Sequence, residues 1–347
     1  KNSSGNIGVF FYFLLLPKKF LIPHSDIFSI SNNKQFEKIA LKVFRFQYEN
    51  NLVYRTFCEH LKVDKQAVKT LNQIPFLPIS FFKSHHVVTG ENAIQKTFSS
   101  SGTTGMTTSQ HHITDLSLYE ESYRKGFSQF YGNIEDYTVL ALLPSYLERE
   151  GSSLIYMVQD LIDSTQNPDS GFYLHNYEEL IAKLIWLDQS GQNVILIGVT
   201  YALLDLIEMQ KFQLKNTIIM ETGGMKGKRK ELIREDLHEQ LCHGFGVEAI
   251  HSEYGMTELL SQAYSLGDGI FECPPWMQVL IRDTEDALSY VDAGKTGGIN
   301  VIDLANINSC SFIATQDLGK KNPNTTFEVL GRFDNSDIRG CNLLVVG

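Results

Sequence analysis

Residues 193–224 read NVILIGVTYALLDLIEMQKFQLKNTIIMETGG. The run 193–199 is apolar and rich in β-branched residues, with no polar alternation, so it predicts a strand buried on both faces. A helical stretch follows, and a second apolar run, 217–220, comes after a short polar break. Strand, helix and strand at this spacing make a βαβ unit, whose two strands run parallel. The same rhythm extends outward. Toward the N-terminus stand a strand at 138–143, a helix at 153–162 and a helix capped by Asn176, with Glu179 at the third position of a capping box. Toward the C-terminus stand a charged helix, 228–243, and a strand at 247–250. The fold class is therefore α/β, built on a buried parallel sheet.

Farther out the texture changes. Phe36, Ile39, Ala40, Val43 and Phe44 follow helical spacing, so 34–48 reads as an amphipathic helix, with another at 53–63. Residues 73–78 hold two prolines and read as a linker. Asp115 caps a helix running through Leu118, Tyr119, Tyr123 and Phe127. After Asp268, short strands dominate, at 277–281, 298–303, 311–314 and 326–329. The expected division is a peripheral segment 1–25, an α/β core 26–268 and a smaller β-rich subdomain 269–347. The apolar run 9–16 is too short to span a bilayer, and Pro17, Lys18 and Lys19 follow it without a small-residue cleavage site. The expectation is a cytoplasmic chain with no stable membrane insertion, the apolar run being a mis-assigned start or an added edge strand; a degenerate signal peptide is the alternative, and the start at Lys1 leaves room for a missing upstream portion.

Composition narrows the function. The 347 residues are 43% hydrophobic and 20% charged, enough for a large core and unlike a disordered chain. The net charge is −10 and no basic cluster stands out, which argues against nucleic acid as a partner. Five dispersed cysteines, Cys58, Cys242, Cys273, Cys310 and Cys341, form no Cys-x-x-Cys pair and read as reduced thiols.

Several local signals bear on chemistry. Ser99-Ser100-Ser101-Gly102-Thr103-Thr104-Gly105 combines hydroxyls with glycines, so its backbone N–H groups can curl around an anion; the alternative is a flexible linker. Ser252-Glu253-Tyr254-Gly255-Met256-Thr257-Glu258 follows a strand expected to end near Ile250, where an open parallel sheet binds its ligands. An ordinary strand-to-helix turn is the alternative there. Weaker signals are Thr222-Gly223-Gly224, Thr315-Gln316-Asp317-Leu318-Gly319 and Gly331-Arg332-Phe333-Asp334 with Arg339-Gly340. Lys226, Lys228, Arg229 and Lys230 could steer a polyanion or form a solvated helix face. Of His111 and His112, one is expected toward the site and one in the core, and His251 could line the pocket.

The order of these signals resembles the adenylate-forming superfamily of acyl-CoA synthetases, luciferases and peptide-synthetase adenylation domains. The resemblance runs from about Phe98 to Gly340. It implies ATP and Mg²⁺ as cofactors. Ser100, Ser101, Gly102, Thr103, Thr104 and Gly105 would hold the β- and γ-phosphates. Gly223 and Gly224 would let adenine approach the backbone, and Tyr254 with Gly255 would carry its stacking face. Thr257 would reach the α-phosphate, and Thr104 with Glu258 would sit at the magnesium. Asp317 would bind the ribose hydroxyls, Arg332 the ribose or phosphate, and Asp334 would stand at the hinge. Two departures stand out. Met106, Thr107 and Thr108 replace the usual Pro-Lys pair, and the sequence stops at Gly347, so the superfamily's C-terminal lid domain is expected to be absent.

One short branch, the acyl-protein synthetase (LuxE-like) family, is similar in further places: 44–48 (FRFQY), 143–149 (LPSYLER), 273–276 (CPPW) and 339–343 (RGCNL). It implies activation of a fatty or other carboxylic acid as an adenylate, transfer to Cys341 and passage to a partner reductase. Catalytic roles then fall on Cys341, Glu258 and Thr104, with acyl-pocket walls expected at 144–154 and 199–203. Two readings compete: an AMP-forming aryl- or acyl-CoA ligase of the phenylacetate type, and a degenerate nucleotide-binding scaffold.

Overall fold

The computed structural model describes residues 22–100, 107–144, 151–223, 229 and 232–333. The N-terminal part is helical: α1 (His24–Phe28), α2 (Asn33–Asn50), α3 (Leu52–His60) and, after a short strand β1 (Leu77–Pro78), α4 (Phe81–Ser84). A hairpin follows, β2 (Lys96–Ser99) and β3 (Gln110–Ile113), then α5 (Leu116–Tyr131). The alternating region holds β4 (Thr138–Leu142), α6 (Ser153–Thr165), β5 (Gly171–Tyr173), α7 (Tyr177–Gln189), β6 (Val194–Val199), α8 (Thr200–Met209), β7 (Thr217–Thr222), α9 (Arg234–Phe245) and β8 (His251–Tyr254). The rest is β-rich: β9 (Ala263–Ser265), β10 (Ile270–Glu272), β11 (Met277–Arg282), β12 (Thr296–Asp303), β13 (Phe312–Lys321) and β14 (Phe327–Arg332).

The strands β5, β4, β6, β7 and β8 pair parallel in that spatial order, as the unbroken apolar runs demand. Beyond β8 the same sheet continues antiparallel through β9, β10, β14, β13, β12 and β11. The change of texture near residue 268 is therefore a change of pairing inside one sheet. β1 joins it too, parallel to β13, because Pro78 keeps the residue before it, Leu77, extended, and Leu77 pairs with Ile313. The supposed linker 73–78 thus holds a strand. Ile22, inside the segment expected to be peripheral, is already buried, and Phe28 meets Trp276 edge-on at 5.0 Å.

Three boundaries differ from the sequence reading in ways that matter for the site. The strand expected at 247–250 lies instead at His251–Tyr254, because register with β7 pairs Met220 with His251 and Thr222 with Glu253. Ser252, Glu253 and Tyr254 are strand residues rather than a turn. Asp317 and Arg332 likewise sit within β13 and β14, facing each other across the ladder. The helix expected from 228 begins at Arg234. The expected capping box at Asn176 is not formed: its amide donates to Glu179 Oε2 at 2.7 Å, and its carbonyl oxygen accepts from Leu174 N–H. Among the described residues, no helix is long and apolar enough to cross a membrane.

Candidate nucleotide and acyl site

Residues far apart in sequence converge at the C-terminal ends of β7 and β8. Tyr254 Oη donates to Asp317 Oδ2 at 2.8 Å, joining positions from the parallel and antiparallel halves of the sheet. Tyr254 is held edge-on by Phe271 and Phe327, at 6.0 and 5.7 Å. Burial raises the pKa of Asp317, against the opposing pull of Tyr254 and Arg332. Arg332 reaches Asp317 Oδ1 at 3.5 Å while 84% of its side chain stays exposed, so its guanidinium is open to an anion.

The Ser/Thr/Gly run grows out of the β2–β3 hairpin. Ser100 N–H donates to Ser109 O at 3.0 Å, and Ser109 N–H donates to Ser100 Oγ at 2.9 Å. These bonds close the base of the loop. A hydrogen bond from Ser109 also reaches the carboxyl of Glu258, which ties the loop base to the end of the Tyr-Gly-x-Thr-Glu stretch. Glu258 is buried, and burial raises its pKa; the Ser109 bond and the charges of Arg332 and Lys83 pull the other way. Lys83 was not singled out from sequence. It lies on α4, whose Phe82 packs edge-on against the buried His111 at 5.5 Å, and it is exposed.

The loop after β8 is held from below. Asp303 accepts from Leu260 N–H at 2.7 Å, Ser261 N–H at 3.0 Å and Ser261 Oγ at 2.6 Å. Asn306 donates to the Glu258 carbonyl at 2.8 Å and presents its Oδ1 to His111 Nε2 at 3.0 Å. His111 Nδ1 lies 2.8 Å from the Thr257 carbonyl. His111 is thus the core histidine, its pKa lowered to about 4 by burial against its hydrogen bonds, and half-exposed His112 packs at a tilt against His86. His251 faces Tyr131 Oη at 3.2 Å. The Asp303 and Asn306 anchors had no sequence signal beyond a carboxylate closing an apolar strand.

Gly223 has φ +82°, a left-handed turn that suits glycine. Arg229 is committed to Asp205 and Glu208 and is not free for a polyanion. Ser101, Gly102, Thr103, Thr104, Gly105, Gly224, Lys226, Lys228, Lys230, Asp334 and Cys341 lie outside the described residues. Burial raises the four described thiols, with Cys58 and Cys273 pushed up to about 12, which removes them as thiolates near neutral pH.

An apolar cavity adjoins this edge. It is lined by Phe127, Val139, Met157, Val158, Leu161, Ile195, Ile197, Met220, Tyr264 and one carboxylate, Glu253. The void between these side chains is ≈ 20 Å³, room for about one water molecule and far below a ligand pocket. Of the acyl-pocket walls expected at 144–154 and 199–203, residues 145–150 lie outside the described residues. The lining comes from alternate residues of the strands and from α5 and α6, a period-two pattern that an all-apolar run hides. On the other sheet face, Glu221 accepts from Arg234 at 2.8 Å, Ser252 at 2.9 Å and Thr200 at 3.1 Å. Burial opposes its ionisation, but His238, Arg234 and Ser252 outweigh it and hold Glu221 at about 2.

A family profile described as "Acyl-protein synthetase, LuxE" matches residues 19–119 and 163–346. The long-chain-fatty-acid–luciferin-component ligase of Vibrio harveyi is 25% identical over 338 residues, covering 91% of this chain and 88% of that protein. The protein of the same name from Photorhabdus luminescens is 38% identical over 71 residues, 20% of this chain and 60% of its counterpart. Among solved structures, 2-hydroxyisobutyryl-CoA ligase in complex with 2-HIB-AMP aligns with TM-score 0.62 and 12% identity, over 91% of this chain and 73% of that one. ATP-bound MatB from Rhodopseudomonas palustris aligns with TM-score 0.52 and 18% identity over 70% of this chain, which spans about half of the MatB length (49%). At these identities the structural likeness fixes the fold: that of adenylate-forming ligases.

Proposed function

Because the chain belongs to the LuxE acyl-protein synthetase family, we propose that it is an AMP-forming acid–thiol ligase that activates a fatty or other carboxylic acid with ATP and passes the acyl group to a protein thiol. The observation that carries this reading is the convergence of Tyr254, Asp317, Arg332, Glu258 and the Ser100–Ser109 loop base at one sheet edge. ATP would lie across that edge, its ribose at Asp317 and its phosphates toward the Ser/Thr/Gly run, Thr257 and Arg332. A carboxylate oxygen of the acid attacks the α-phosphorus and pyrophosphate leaves. A thiolate then attacks the acyl carbon and AMP leaves, so one hard substitution becomes two easier ones.

Glu258 fits a magnesium ion. Magnesium is usually held by one or two carboxylates plus phosphate oxygens, and Glu258 is a buried carboxyl with no ion pair among the described residues. When bound, the ion would neutralise phosphate charge as pyrophosphate departs, with Thr104 as its second protein neighbour. Cys341 is the proposed acyl acceptor, and a reductase-type protein the proposed recipient. The working location is the cytoplasm, and the working division is a core at 26–268 with a β-rich subdomain at 269–347.

The test is ATP–pyrophosphate exchange with a panel of fatty acids, followed by mass spectrometry of the protein. Acid-dependent exchange with a hydroxylamine-labile adduct on Cys341 is expected. Cys341→Ser should keep exchange and lose the thioester. Exchange with rapid release of acyl-CoA and no protein adduct would favour a CoA ligase instead; ATP binding without exchange would favour a scaffold.

A further inference from the structure

Little in the immediate surroundings of Arg332 holds it in place. It is the last residue of β14, Leu330 two positions earlier is exposed, and its contact with Asp317 is a long 3.5 Å. Gly331 between them has φ +145° and no side chain to stiffen the strand. What fixes Arg332 lies one residue further on. Phe333 N–H donates to Gln316 O at 2.8 Å, which carries the β13–β14 ladder past the Asp317–Arg332 pair. The guanidinium of Arg282 lies over the Phe333 ring, 5.3 Å from its centroid, within reach of a cation–π contact. Arg282 ends β11, and its fork is spent on neutral acceptors of the two neighbouring strands. Nη1 donates to Ile299 O and Asn300 Oδ1, both at 2.8 Å, and Nη2 donates to Thr315 O at 2.5 Å. A planar guanidinium can bond along its edges and still offer a face to a ring. Room for it comes from Gly298, its partner across β12, where a Cβ would fall 2.4 Å from Arg282 Cζ.

Resting on the nucleotide site proposed above, we propose that Arg282 and Phe333 form a clamp that positions Arg332 for ATP. Neither residue touches the nucleotide; both act through Arg332. The clamp works on two strands at once. Thr315, whose carbonyl Arg282 grips, donates its hydroxyl to Ile299 O at 2.9 Å and accepts from Asp317 N–H at 3.1 Å. One fork therefore fixes Thr315 to Asp317 on β13 and, through the ring, the end of β14 that carries Arg332. An exposed arginine on a free strand end would give up backbone and rotamer freedom on meeting a phosphate, which weakens binding. With Phe333 pinned on both its amide and its ring, the backbone part of that loss is already spent in the fold.

The charge of Arg282 is also among those that oppose the raising of the Asp317 pKa by burial, so the test replaces the ring and keeps the cation. ATP with magnesium is titrated calorimetrically into the full chain as a double-mutant cycle. Phe333→Leu keeps an apolar side chain without an aromatic face and should weaken ATP binding by about three- to tenfold. Phe333→Trp, which restores the face, should stay within about twofold of wild type. Arg332→Gln should weaken binding by about tenfold or more. In the Arg332→Gln chain, Phe333→Leu should then cost nothing further, because the ring has lost the residue it acts through. Amide hydrogen exchange over residues 327–333, measured without nucleotide, should be faster in Phe333→Leu and unchanged in Phe333→Trp. Wild-type exchange or wild-type ATP affinity in Phe333→Leu overturns the clamp. So does an equal loss from Phe333→Leu with and without Arg332. A wild type that binds no ATP would sink the nucleotide reading and this proposal with it, whereas ATP binding with additive losses sinks the clamp alone.

Discussion

Glu258 and Lys83 show how a single side chain's surroundings assign it different work. Glu258 is buried with a hydroxyl donor and distant cations, so ionising it is costly until a cation arrives. Glu258→Gln should reduce pyrophosphate exchange by about a hundredfold or more, a loss near 3 kcal/mol of transition-state stabilisation, while thermal unfolding hardly changes. Near-normal exchange would remove Glu258 from the chemistry. Lys83 is exposed, so its replacement by Met should leave stability within about 0.5 kcal/mol. Its charge nonetheless acts at Glu258, where the phosphate loop has Met106, Thr107 and Thr108 in place of a Pro-Lys pair. Lys83→Met should therefore weaken ATP binding several-fold, and unchanged calorimetric affinity for ATP would show that the cation is too far away to matter. Asp317→Ala should weaken ATP more than acid, since ribose hydroxyls would bond a charged acceptor worth roughly 1.5–3 kcal/mol each. An unchanged ATP affinity would take Asp317 out of the site.

Between elements, the site depends on bonds that join distant parts of the chain. Gln47 of α2 is fully buried; its amide nitrogen donates to Ile307 O at 2.9 Å and Asn306 O at 3.1 Å, and its oxygen accepts from Ser311 N–H at 3.0 Å. It thereby fixes the turn that carries Asn306, which in turn holds the Glu258 carbonyl. Gln47→Leu would strand those backbone groups and should destabilise the protein by about 2–4 kcal/mol, read as a lower urea midpoint. A midpoint equal to wild type would mean that water replaces the amide. The sequence showed α2 through its helical period, yet nothing in FRFQY tells which polar residue points inward. The parallel strands were legible because burial on both faces leaves unbroken apolar runs. The β8 boundary was not, because apolar 247–250 suits a strand equally well and only pairing with β7 shifts it to His251–Tyr254. The site's members were legible by their order in the chain. Their anchors, Asp303 and Asn306, were not, since hydrogen-bond partners forty or more residues away leave no local pattern.

Across the whole molecule, two buried glutamates on neighbouring strands pull stability in opposite directions with pH. Glu221 is held near 2 in the fold, below its ordinary 4.5, so its contribution is present above about 4.5 and is lost as pH falls toward 2. Glu253 is held near 7, so its burial as a neutral acid costs little below 4.5 and progressively more as pH rises to 7. At pH 8 that cost is on the order of 3 kcal/mol. Glu253→Gln removes the ionisation while keeping the size and the bond from Thr222. The variant should therefore unfold at a higher urea concentration than wild type near pH 8, with the difference vanishing near pH 4, where both side chains are neutral. A midpoint difference that is the same at both pH values would mean that Glu253 ionises freely in the fold. In that case the carboxyl at the cavity wall is solvated. If instead the difference grows with pH, the sheet holds Glu253 as a neutral acid at the end of β8, and the fold loses stability there just where Glu221, on the opposite face, has its full effect.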